Sequence, residues 1–324
     1  MKRPASTICL LFSITATLFL TGCGALSQHA KAIETAIVGY SDYYIEVYDL
    51  SGQVKEQYRQ LDKRQSAIDY TITIDIPDYT SVDPAAVGFT PPAPDYATMS
   101  ASQYRSAAAA SLRVRLEAYA YDNAFSSYVE LPVTFSLTET ADGFLAALSG
   151  TSRNDVKTTV DSMVLSLLDS YPAYTENYRL ATVADARFSL LDGLFGSDYA
   201  ALTSVRKVVS NGDGTYEMTL VYPDPYDVYD ALAQQYYASF NQPFYGDAQA
   251  ASLSADNLGG IDAADMSTMT NAVTVALDAD AGVCTLADAS VVESQISAAR
   301  MQAEAAAEQR VNEEWRVPEA EIPS

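Results

Sequence analysis

The sequence predicts an α+β protein built from two related units, each with helices packed on an antiparallel sheet. Three observations carry this. Apolar residues recur at intervals of three and four in several long stretches, which is the helical period. Short β-branched runs are separated by turn residues, which reads as strands and hairpins. The string Tyr-x-x-Thr-x-x-x-Pro-Asp occurs at Tyr70 and again at Tyr216, an offset of 146, with the same succession of elements around it.

The first helical stripe is Ile33, Ile37, Tyr40, Tyr44 and Val47, preceded by a short tether at 24–28 and broken at Gly52. A second runs through Val54, Tyr58, Leu61, Gln65 and Ile68, with a charged outer face. Residues 70–76 alternate Ile with Thr or Asp, a strand half-buried through Ile72, Ile74 and Ile76, stopped by Pro77 and Asp78. Residues 82–99, with four prolines, read as an exposed loop. Ser100 and Gln103 form a capping box that opens a helix with Tyr104, Ala108, Leu112, Leu116 and Tyr119 on one face. Strands at 129–137 and 144–148 flank a turn, and a helix from 153 to 170 carries the cleanest stripe, Val156, Val160, Met163, Val164, Leu167 and Leu168.

Residues 174–195 read as helix, with a partial strand as the alternative. Strands at 205–210 and 216–222 enclose Asn211-Gly212-Asp213-Gly214, a turn whose glycines accept positive φ. Val228, Leu232, Tyr236 and Phe240 mark a helix with Asp227 as its N-cap. A long irregular loop spans 241–266, a second hairpin pairs 271–277 with 282–286, and an Ala/Glu-rich helix runs from 290 to 315. The later hairpins also match, Val133-Thr134 against Val273-Thr274, at an offset of 140. Loops absorb the difference between the offsets. This helix-on-sheet layout is similar to NTF2-like lipoprotein domains. The expected boundaries are 1–22 for a signal segment, 23–149 and 150–316 for the units, and 317–324 for a tail.

Lys2 and Arg3 precede an apolar run from Ile8 to Leu20, too short and interrupted to span a bilayer. It ends in Leu20-Thr21-Gly22-Cys23, which resembles the lipobox of bacterial lipoproteins. That resemblance implies cleavage before Cys23, a lipid on its sulfur, and a place on the outer, extracytoplasmic face of the cell membrane, where two acyl chains suffice for stable anchoring.

Without its first 22 residues the chain keeps 17 Lys+Arg against 42 Asp+Glu, a net charge of −25. Such a body is repelled by nucleic acid and by anionic headgroups, so the lipid is its expected hold on the membrane. With Cys9 in the signal segment and Cys23 acylated, Cys284 has no partner for a disulfide. The single histidine, His29, lies six residues after Cys23, which argues against Ser-His-Asp, Cys-His and His-ligated zinc sites. Asp278-x-Asp280-x-Gly282 fails as a calcium loop, because Val283 and Ala289 stand where glycine and a bidentate glutamate are needed. No cofactor and no metal is expected.

The unusual residue is tyrosine, 23 in all. Tyr226, Tyr229, Tyr237 and Tyr245 lie on or beside one predicted helix whose stripe faces elsewhere, so they are the candidate ligand-binding residues. The reading is a non-catalytic, membrane-anchored lipoprotein that binds a carbohydrate, peptide or protein partner through these tyrosines. The enzyme alternative is a glycosidase-like surface hydrolase using a carboxylate pair.

Overall fold

The structure, a computed structural model, describes residues 23–40, 42–60, 67–256, 258–259 and 261–317. The predicted signal segment, residues 61–66 of the second predicted helix and the tail beyond 317 lie outside them. The chain is of α+β class and divides into two compact units. One comprises the described residues up to 91 together with 106–175; the other comprises 92–105 and the chain from 176 onward. The division therefore falls after Thr175, not at 149.

In the first unit, α1 (Cys23–Gly39) and α2 (Leu50–Tyr58) precede β1 (Ala67–Pro77). A 3-10 turn (Tyr79–Ser81) and a proline-bearing loop lead to α3 (Ala101–Asp122), of which residues 106 onward belong here, then β2 (Tyr128–Thr140), β3 (Gly143–Leu148) and α4 (Gly150–Asp169). The antiparallel sheet has the order β1-β2-β3. Helix α4 lies on β2 and the 3-10 turn with all six stripe residues buried, which is why it belongs to this unit and not to the second. The capping box forms as read: Ser100 N–H donates to Gln103 Oε1 at 2.8 Å, and Gln103 N–H donates to Ser100 Oγ at 3.2 Å.

Three expectations change here. The tether at 24–28 is helical, since α1 begins at Cys23. That helix stops at Gly39, so Tyr40, Tyr44 and Val47 leave it; a glycine followed by β-branched residues gives it little reason to continue. Ile68 belongs to β1 and not to a helix.

The outer edge of β1 is closed without another strand. Gln53 and Gln57, one turn apart on α2, face Thr73 and Thr71: the two backbone N–H groups donate to their Oε1 atoms at 2.8 and 2.9 Å. Their amide groups donate back to the Thr73 and Thr71 carbonyls. Glu46 exchanges backbone bonds with Asp75, the next outward-facing position. The fit is metric. Four helical residues rise about 6.0 Å and two strand residues advance about 6.6 Å, so i,i+4 side chains meet alternate strand residues.

In the second unit, α5 (Pro172–Asp185), of which residues 176 onward belong here, α6 (Arg187–Phe195) and α7 (Ser197–Ala201) settle the ambiguous stretch as helix. Gly196 between them has φ +86°, and a Cβ there would come within 2.6 Å of the Ala255 carbonyl carbon. Then follow β4 (Ser204–Ser210), β5 (Thr215–Pro223), α8 (Pro225–Ala238), β6 (Thr268–Asp278), β7 (Val283–Asp288) and α9 (Ser290–Trp315), in a sheet of order β4-β5-β6-β7. Asp224 caps α8, accepting from Tyr226 N–H with Pro225 in the first turn. Asp227, expected as the cap, instead accepts from Ser267 N–H at 2.9 Å.

The two sheets share one register. Tyr70 pairs with Phe135 and Pro77 with Tyr128; Tyr216 pairs with Val275 and Pro223 with Thr268. The offsets of 146 and 140 read from the sequence reproduce both pairings. After each Pro-Asp, the aspartate N–H donates to a serine carbonyl, Ser127 in one unit and Ser267 in the other. The difference is at the edge: Thr71 and Thr73 correspond to Glu217 and Thr219, which pair with Val209 and Lys207 of β4. The glutamines of α2 stand where β4 stands.

Candidate functional site

Four tyrosines of the second unit were the sequence's candidates, and the fold separates them. Tyr226 is 44% exposed in the first turn of α8. Tyr229 is 4% exposed and sits in the core, so its expected solvent exposure is corrected. The buried face of α8 is wider than the stripe read from the sequence: Pro225, Val228, Tyr229, Leu232 and Ala233 follow i, i+3, i+4, i+7, i+8 because α9 covers that side. Tyr237 and Tyr245 lie toward the other end, eleven residues of helix or roughly 16 Å from Tyr226.

Tyr237 is half-buried beneath the Arg310 guanidinium, 3.5 Å from its ring centroid, and donates its hydroxyl to the Glu314 carboxylate. That hydrogen bond first, and the Arg310 charge after it, hold Glu314 below the usual range. Trp315 lies 6.5 Å from Tyr237. From the same end of α8 a chain of ring contacts runs outward, Tyr236 to Phe240 at 5.3 Å and Phe240 to Phe244 at 6.0 Å. Phe244 is tied to the α9 terminus through its backbone, donating to the Trp315 carbonyl at 2.9 Å and accepting from Val317 N–H at 3.0 Å. Tyr245, the next residue, is 61% exposed. Among the described residues the indole Nε1 of Trp315 is buried without a hydrogen-bond partner.

The segment leading away from the rings is held as β1's edge is. Glu304, Glu308 and Asn312, four residues apart on α9, accept from the backbone N–H groups of Leu253, Ala251 and Gln249 at 2.9–3.0 Å. Helical spacing again matches alternate residues of an extended chain. The aromatic character of Phe240, Phe244 and Trp315 was legible in the sequence; their convergence was not, since it depends on the parallel bridge between Phe244 and Arg316.

The carboxylate-pair alternative was a matter of finding two acids with shifted pKa values in one cleft. Among the described residues one carboxyl is raised: burial pushes Glu117 in the first unit up to about 7. It accepts from Tyr44 N–H at 2.6 Å, and its other oxygen is buried with no partner, Tyr79's hydroxyl lying near it outside hydrogen-bond geometry. Arg113 is the charge that acts on it. The apolar cavity of that unit, about 10 Å³ among Ile37, Tyr40, Ile45 and Phe135, does not reach it.

His29, expected near the membrane, is 2% exposed in α1. Its Nδ1 is 2.7 Å from the Tyr70 hydroxyl, while its Nε2 is buried and has no partner among the described residues. Cys284 is half-buried in β7, where burial raises its thiol pKa and disfavours the thiolate. Among the described residues no group of three His, Cys, Asp or Glu could hold a metal ion, and no helix is long and apolar enough to cross a membrane. No protein-family model, curated protein or solved structure matches the chain.

Proposed function

We propose that the protein is an extracytoplasmic lipoprotein, anchored in the cell membrane through lipidated Cys23, that engages a carbohydrate, peptide or protein partner without catalysing a reaction. The two units arise in this reading by duplication of one NTF2-like lipoprotein domain. The observation that carries the binding role is the run of ring contacts from Tyr236 through Phe240 to Phe244, followed in the chain by exposed Tyr245, with Tyr237 against Arg310 and Trp315 at the same end of α8. A fixed ring with a polar tip offers contact area at little entropic cost. The anchoring role rests on Leu20-Thr21-Gly22-Cys23 at the end of the apolar run.

Each role has its own test. Cys23→Ala should abolish incorporation of labelled palmitate; retained label would overturn the anchor. Trp315 is the single tryptophan, so its fluorescence reports directly on the ring cluster. Titration with soluble peptidoglycan fragments should shift that emission, and Tyr245→Ala should weaken binding by about tenfold, roughly 1.4 kcal/mol, with the thermal midpoint unchanged. Emission that neither such fragments nor the proteins of the same envelope alter would remove the binding role.

A further inference from the structure

The register that relates the two sheets also relates two corners, and only one of them is open. In the first unit the corner above Tyr70 is filled. His29 of α1 is bonded to the Tyr70 hydroxyl, and the Phe144 ring of β3 meets the imidazole edge-on at 4.2 Å. In the second unit Tyr216 stands in Tyr70's place. Extending the β6–β7 pairing by one step, the position matching Phe144 is Gly282, which has no side chain. The helix over this corner is α5, and it brings Glu176 and Arg179 in place of an imidazole.

What remains is a cleft of about 330 Å³ lined by Glu176, Arg179, Tyr216, Leu277, Ala279 and the 210–214 turn. This is the lower end of the range for small-molecule sites. The turn leaves the space free, since a Cβ on Gly212 or Gly214 would meet nothing within 4 Å. Tyr216 is only 5% exposed, yet among the described residues its hydroxyl has no hydrogen-bond partner. Glu176 and Arg179 are half exposed and only loosely paired, 3.8 Å apart one turn apart on α5. An exposed pair of that kind costs little to open.

The geometry points to a binding site for a free α-amino acid in the cleft between α5 and the two hairpins of the second unit. A zwitterion answers both signs at once. Its carboxylate meets the Arg179 fork, a bidentate and charge-assisted contact. Its ammonium meets Glu176, and the unpartnered Tyr216 hydroxyl completes the polar side. Leu277 and Ala279 give an apolar wall to the ligand's side chain. A simple anion would face Glu176 unpaired, and a neutral sugar would leave the ion pair as it is. The site is separate from the ring cluster at Tyr245 and stands whether or not that surface binds.

The purified protein is titrated with L-leucine, with leucinamide, which lacks the carboxylate, and with N-acetyl-leucine, which lacks the ammonium, by calorimetry. L-leucine should bind, and each blocked compound should bind about tenfold more weakly or worse. Arg179→Ala and Glu176→Ala should each lose about tenfold with the unliganded melting midpoint unchanged. Ala279→Trp, at an exposed position, should close the cleft and abolish binding in a folded protein. Equal binding of all three compounds, binding retained in Ala279→Trp, or no heat from leucine, glycine or glutamate up to about 10 mM would overturn the proposal.

Discussion

The corner above Tyr70 and the corner above Tyr216 occupy the same register in their two separate sheets, yet one is packed shut and the other holds a cleft. In the first, an imidazole and a phenyl ring occupy the space, so the tyrosine hydroxyl is spent on an internal hydrogen bond. In the second, a glycine replaces the phenyl and a loose ion pair replaces the imidazole, so among the described residues the hydroxyl is left without a partner. A repeated fold keeps its hydrophobic face, because both sheets must bury one. It is free to vary what fills the margin of that face. Two sheets of one register can thus differ in whether the margin is packed or open.

The largest contrast should come from deleting the filling side chains. His29→Ala removes a buried ring that touches Tyr58, Tyr70 and Phe144, and should cost about 3 kcal/mol in urea unfolding. Arg179→Ala, at the matching corner, should stay within about 0.5 kcal/mol. Equal losses would mean that the second corner is packed as firmly as the first.

Smaller in size, but sharper, is the pair of hydroxyl deletions. Tyr70→Phe leaves His29 with neither ring nitrogen bonded and should cost about 1–3 kcal/mol. Tyr216→Phe removes a hydroxyl that has no internal partner and should be nearly neutral. Loss of stability in Tyr216→Phe alone would reverse the assignment of the two corners.

Acidity separates the corners in a third way. Burial lowers the His29 pKa below its ordinary 6.5, so the unfolded chain takes up the proton first. The His29 contribution to the first unit's stability is therefore complete above about pH 6.5 and is lost as the pH falls, with a slope of at most about 1.4 kcal/mol per pH unit. The groups facing the ring are the phenols of Tyr58 and Tyr70 and the phenyl of Phe144, none of which supplies a counter-charge. Glu117 acts with the opposite sign. Its pKa of about 7 lies above the ordinary 4.5, so its contribution is greatest below pH 4.5 and declines as the pH rises to 7. Site-resolved hydrogen exchange on His29→Gln should then show the first unit gaining stability on acidification. On Glu117→Gln it should show a steeper loss than in the wild type.

The smallest effect is expected at the sheet edges. Gln53→Ala and Gln57→Ala each expose one Thr backbone pair of β1 to solvent, costing about 0.5–1 kcal/mol and raising exchange at Thr71 and Thr73. The corresponding amides of β5, paired with β4, should not change. Protection of Thr71 and Thr73 that survives the double substitution would show that α2 does not close the edge.

Much of the fold was legible because it follows from short-range periodicity. The α4 stripe, the Ser100–Gln103 box, the 211–214 turn and the two Pro-Asp strand ends all stand where their residues place them. The misplacements share a cause. The spacing of Tyr44 fits a helix, but Glu117, 73 residues away, takes its N–H. Asp227 precedes the stripe as a cap would, but Pro225 lets the helix start earlier and frees Asp227 for Ser267. A stripe one residue wide leaves Tyr229 exposed, but α9 covers a broader face.

By itself the sequence determined the class, the order of elements and the common register, since apolar periodicity and strand-ending Pro-Asp are local properties that any packing must respect. The tertiary structure alone decided which margins are open. Whether a hydroxyl, a ring or a carboxylate is spent internally depends on neighbours dozens of residues distant, as with His29 and Tyr70, and on the absence of a side chain at one hairpin position. Close packing is a property of the assembled interior, so the open cleft beside Tyr216 and the filled corner beside Tyr70 have no local signature.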